Sequence, residues 1–192
     1  VGLAGVGRVD QVAWGEPLGH PTALAALQHA NPEVGTVQPL AEASRRAAAT
    51  EVPLLVDAGA SVGRVPLPET WDLLAADPVG WGGPGGVGVL AVRTRARIRP
   101  VGVEDEEPWA PGGASIPVLV GAAAALRAVL ADRDRRAAEH RAMLDRVRAC
   151  VAAIPDAHVA GGRSPIGPDG TGGSLPHVLT FSCLYVDGEA LL

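Results

Sequence analysis

The 192-residue chain contains no lysine; all 16 of its basic residues other than histidine are arginines. Chemistry that needs a side-chain primary amine, such as Schiff-base formation with a carbonyl, therefore has no nucleophile here. Cysteine is nearly as scarce, with Cys150 and Cys183 alone, which excludes a disulfide framework and any Cys-pair metal motif. Both read as thiols buried in apolar segments. No apolar run approaches the 18 residues of a membrane-spanning helix, although 47% of residues are hydrophobic. The first residues lack the charged start and apolar centre of a secretion signal. The net charge is −5 with scattered arginines, so there is no electrostatic footprint for nucleic acid. A cytoplasmic protein is expected. The chain opens on Val1 and stops soon after an Asp-Gly-Glu turn, so a piece of a longer polypeptide is also expected.

What is present reads as an α/β pattern. Residues 22–28 form a short apolar run leading into His29-Ala30-Asn31, a buried strand leaving a core. Residues 39–49 carry proline in the first turn and an alanine-rich interior, which predicts a helix. Residues 52–56 predict a second buried strand with Asp57 at its end. Strand, helix and strand with short connections make a parallel βαβ unit. Asn31 and Asp57 then share the carboxyl-end rim, where open α/β sheets bind ligands.

Downstream, residues 71–76 read as a short helical or loop segment, 82–88 as a glycine-rich turn and 87–92 as a third strand. The stretch 93–111 reads as an exposed excursion. A buried alanine-rich helix is expected over 117–130. A separate long helix follows over 132–154, with an apolar stripe of Leu144, Val147, Val151 and Ile154. Residues 160–174 read as a loop and 178–183 as a last strand. The change of style near residue 131 divides the chain into a first domain, 1–130, and the beginning of a second, 131–192.

Two residues invite a chemical reading. Asp57 is either a buried-rim carboxylate awaiting a cationic partner or a cap on the turn that follows it. Asn31 is either an amide donor facing a ligand or a turn asparagine before proline. Gly83-Pro84-Gly85-Gly86-Val87-Gly88 matches the dinucleotide fingerprint in spelling only, because a strand rather than a helix follows it. His20, His140, His158 and His177 are dispersed surface or loop candidates, and no zinc or serine-hydrolase motif is present.

His29-Ala30-Asn31-Pro32-Glu33-Val34-Gly35-Thr36-Val37-Gln38-Pro39, Val56-Asp57-Ala58-Gly59-Ala60-Ser61-Val62-Gly63 and Gly82-Gly83-Pro84-Gly85-Gly86-Val87-Gly88 together resemble the middle of a cysteine desulfurase of the class V aminotransferase family. The likeness extends from a hairpin at Gly7-Arg8-Val9-Asp10 to residues 175–192. It implies a fold-type I α/β large domain dependent on pyridoxal phosphate (PLP), plus the start of a smaller α/β domain. It implies that Asp57 faces the pyridine nitrogen, that Asn31 donates to the ring's phenolate oxygen, and that His29 lies beside the ring. The family reaction moves sulfur from L-cysteine to an enzyme cysteine, which would fall beyond Leu192, and leaves alanine. The resemblance also implies an amino-acid substrate and a homodimer, or a heterodimer with a relative.

Three family features are missing. The glutamine that supports the PLP hydroxyl aligns with Ala60, and the threonine that reaches the partner's phosphate aligns with Gly113. The Schiff-base lysine, in Ser-x-His-Lys-x-x-Gly-Pro two residues before the paired-glycine turn, is absent; Asp77-Pro78-Val79-Gly80-Trp81 stands there and reads as shortened by a handful of residues. The expectation is a divergent desulfurase-like protein with no catalytic residue of its own and catalysis absent or severely impaired. PLP would be held non-covalently at best. The other reading is a non-catalytic dimer partner or scaffold.

Overall fold

A computed structural model describes residues 3–4, 6–18, 22–99, 109–110, 113–162, 164, 166–167 and 172–191. Two short strands, β1 (Leu3–Ala4) and β2 (Arg8–Val9), pair as an antiparallel hairpin, followed by the short helix α1 (Gln11–Gly15). Then come β3 (Ala25–Gln28), α2 (Leu40–Ala49), β4 (Leu54–Asp57) and β5 (Leu73–Ala76). A 3-10 turn over Pro78–Trp81 leads on to β6 (Val89–Val92). The central sheet runs β3-β4-β5-β6, with the first three strands parallel and β6 antiparallel to β5.

The expected βαβ unit is β3-α2-β4. Gln28 pairs with Asp57 and Asp57 with Ala75, so three parallel strands end on one rim. Helix α2 buries Leu40, Ala43 and Ala47. Its Glu42 pairs with Arg45 and Arg46 one turn on, and the Arg46 and Arg45 guanidiniums hold the carboxyl below its ordinary range. Leu54 and Val56 are fully buried beneath the helix, in one cluster with Trp14, Leu74 and Trp81 among others. Burying a side chain of that size contributes about 1.5–3 kcal/mol.

The segment 71–76, read as helix or loop, contains β5 instead. A four-residue strand paired on both sides is apolar throughout, so it carries no period to distinguish it from a helical turn. Asp72, just before it, ties the strands together: its Oδ2 accepts from Leu54 N at 2.9 Å and its Oδ1 from Arg95 at 2.6 Å. Burial pushes its pKa up, but those bonds outweigh burial and leave it lowered.

The two helices expected on either side of residue 131 are one, α3 (Ile116–Ala152), and it passes through that position without a break. It is not the buried helix expected over 117–130. Only Ala122, Ala137 and Val151 are buried along its 37 residues, while Ile116 and Val120 are at least 60% exposed. Of the expected stripe, Val147 and Ile154 lie open as well. Of that stripe only Val151 is buried, and Ile154 lies past the end of the helix. A strand in the stretch after the helix, β7 (Ala157–Ala160), pairs antiparallel with β8 (Thr180–Cys183). A last 3-10 turn covers Gly188–Leu191. Cys150 is exposed and Cys183 half-buried, so neither is the core thiol expected. Among the described residues no helix is long and apolar enough to cross a membrane.

Candidate functional site

The rim at the ends of β3, β4 and β5 gathers His29, Asn31, Asp57, Ser61 and the 78–81 turn. His29 is fully buried, and its backbone N–H donates to Asp57 O at 2.7 Å. The imidazole Nδ1 lies 2.9 Å from Ser61 Oγ, itself 3.2 Å from the Ala58 carbonyl. A carbonyl only accepts, so the Ser61 hydroxyl donates to Ala58 and receives from His29 Nδ1–H. Ser61 was not singled out from the sequence, although it stands four residues after Asp57 in the same motif.

Asn31 and Asp57 realise the turn-forming reading that the sequence left open. Asn31 Oδ1 accepts from Glu33 N at 2.9 Å and Val34 N at 3.0 Å, closing the 31–34 turn. Asp57 Oδ1 accepts from Gly59 N at 2.9 Å. Asp57 is exposed, and no described residue bonds its Oδ2. The first motif also spends side chains on architecture. Buried Gln38 receives Val9 N at 2.8 Å and donates to Gly7 O at 2.9 Å, and Thr36 donates to Val6 O at 2.5 Å, so both fasten the β1-β2 hairpin.

The opposite side of the rim is closed by backbone. Counted back from Gly83-Pro84, the pattern Ser-x-His-Lys-x-x-Gly-Pro sets lysine on Gly80, histidine on Val79 and serine on Asp77. The segment is thus replaced residue for residue, not shortened, which corrects the sequence reading. Asp77 caps the turn by accepting from Val79 N at 2.9 Å, and Gly80 N donates to Asp77 O at 3.0 Å. A Cβ at Gly80 would stand 2.4 Å from the Gly59 carbonyl oxygen, far inside contact distance and against backbone. Arg64 Nε and Nη2 grip the Gly80 carbonyl at 3.2 and 3.0 Å. Trp81 is buried and donates from its indole to Ala122 O at 3.1 Å, pinning the turn to α3. Trp81 thus fills the neighbourhood by packing on the helix. Arg64 gave no sequence signal, because a guanidinium clamped on a carbonyl looks like any surface arginine.

These residues do not fit a PLP held through a lysine. The chain has no such amine, and position 80 has no room for a side chain. Ala60 and Gly113 offer no side-chain donor. Among the described residues no group of three or more His, Cys, Asp or Glu could hold a metal.

Comparison with known proteins agrees with the architecture. The family model described as aminotransferase class V matches residues 3–164. A cysteine desulfurase IscS of Dictyoglomus turgidum is 29% identical over 97% of this chain and 47% of its own length. The corresponding protein of Anaeromyxobacter dehalogenans is 31% identical, over 97% of this chain and 46% of its own. Among solved structures, a NifS-like protein superposes with a TM-score of 0.87 at 25% identity, covering all of this chain and 52% of that one. DndA from Streptomyces lividans gives 0.81 at 29% identity, covering 98% and 53%. The chain spans about half the length of the curated relatives it matches.

Proposed function

The chain belongs to the class V aminotransferase family, whose members depend on PLP, and from that premise we propose that it is a divergent cysteine-desulfurase-like protein in which lysine-tethered catalysis is absent or severely impaired. The observation that carries this reading is that a Cβ at position 80, where the family pattern calls for the tethering side chain, would stand 2.4 Å from the Gly59 carbonyl oxygen. The fold and rim are those of an enzyme acting on an amino acid; the amine is gone and its place is taken up by backbone.

Any PLP held here is held non-covalently, using the polar atoms that the turns leave over. Asp57 Oδ2 would hold the ring nitrogen and Asn31 Nδ2 the ring oxygen, with His29 buried nearby. By likeness to the family we assign residues 1–130 to the second part of the large domain and 131–192 to the start of the small one, with α3 running across the junction. On the same ground we place the protein in the cytoplasm as one subunit of a dimer.

The test is reductive trapping. The protein is incubated with PLP, treated with borohydride, digested and mapped by mass. The expected result is no pyridoxyl group on any internal residue, with labelling confined to the terminal amine. A pyridoxyl group on an internal side chain would overturn the proposal.

A further inference from the structure

A second cleft opens between the loop after β4, one face of α3 and the turn at Pro176. On the helix Val129, Arg133, Arg136, Ala137 and His140 stand at positions i, i+4, i+7, i+8 and i+11 and form a single stripe; Arg64 faces them. The cavity between them measures about 20 Å³, room for one water-sized group. Among the described residues no carboxylate lines it.

The acids that pair with its arginines lie toward solvent. Asp134, which receives Arg133 Nε at 2.8 Å, has an 82% exposed side chain. Asp132 approaches Arg136 no closer than 3.7 Å and already accepts from Arg135 at 2.9 Å. Arg64 uses Nε and Nη2 on Gly80, and its Nη1 makes no hydrogen bond among the described residues. Beside the cleft, the His177 ring lies 6.4 Å from that of His140, and its Nδ1 is buried without a hydrogen-bond partner. Burial, then the charges of Arg64 and His140, push the His177 imidazole down to about 4. Positive charge is gathered here by Arg64 on one side and by Arg133 and Arg136 of α3 on the other, with little to balance it on the cleft side among the described residues.

We propose that this cleft binds a small inorganic oxyanion, phosphate or sulfate, with one oxygen in the cavity and the others against Arg133 and Arg136. Forked guanidinium donors suit tetrahedral oxyanions, and each added negative charge relieves the repulsion among the cations already present. The inference does not depend on the fate of the PLP site.

The test is an NMR titration of the protein with sodium phosphate and sodium sulfate against sodium chloride at matched ionic strength. It follows the imidazole signals of His140 and His177. Saturable shifts with either oxyanion, beyond those with chloride, are expected. Arg136→Gln should weaken binding about fivefold, and Arg133→Gln with Arg136→Gln should abolish saturation. Arg95→Gln, which alters the Asp72 pair elsewhere, should leave binding unchanged. Shifts that merely follow ionic strength, or saturation that survives the double substitution, would overturn the site. If the double variant fails to fold, Arg136→Gln alone decides, since that side chain is 54% exposed.

Discussion

Two sides of one rim differ in what fills them. At the ends of β3 and β4, Asn31 and Asp57 each commit one side-chain oxygen to a local turn, and no described residue bonds Asp57 Oδ2. At the end of β5, Gly80 lies against the Gly59 carbonyl while Arg64 and Trp81 hold the turn in place. One side keeps an exposed carboxylate oxygen, and on the other a side chain at position 80 would run into main chain. On the reading proposed above, a site keeps the outline of its family and loses its central reagent while the vacated position is repacked. Repacking makes such a loss hard to reverse, because a restored lysine would first have to displace backbone.

The strongest way to break the comparison is Gly80→Lys. The overlap with Gly59 should cost about 3 kcal/mol or more in urea unfolding. A variant as stable as the parent would mean that the sealed side is not sealed. On the other side, Ser61→Ala leaves the fully buried His29 Nδ1–H without its acceptor. It should cost about 1–3 kcal/mol by the same measurement, whereas an unchanged midpoint would show that the pair contributes nothing. Asp57 sharpens the contrast between cap and ligand roles. Asp57→Ala should lose about 1 kcal/mol through the turn, and Asp57→Asn, which keeps Oδ1, should stay within about 0.5 kcal/mol.

A smaller effect concerns pH. The His177 pKa is lowered to about 4 in the folded chain, against about 6.5 when unfolded. Between those values the unfolded chain binds more protons, so the His177 contribution is present above about pH 6.5 and lost as pH falls toward 4. His177→Gln should flatten the stability profile in that window by on the order of 1 kcal/mol, after allowance for partial exposure. The smallest change is expected on α3, where Val147→Ala should stay within about 0.5 kcal/mol.

Legibility in the sequence followed how far each signal was local. The βαβ unit and its rim were readable because β3, α2 and β4 each carry their own pattern and Asp57 falls at a strand end. Strand β5 was not, since four apolar residues paired on both sides have no visible period. Alanine-rich residues 117–130 suggested burial, but burial depends on what packs against a helix, and no helical pattern encodes that. At the site, residue types signalled Asn31 and Asp57, while their capping bonds depended on turn geometry. The closure at Gly80 is a contact between two backbones more than 20 residues apart, and it leaves no trace in either segment.

The most direct measurement is the urea unfolding of Gly80→Ala beside Gly88→Ala. A Cβ at Gly80 meets the Gly59 carbonyl at 2.4 Å, whereas at Gly88 it meets nothing within 4 Å. The closed-rim account predicts a loss of about 1–3 kcal/mol at position 80 and a change within about 0.5 kcal/mol at position 88. Equal stabilities in the two variants would contradict it.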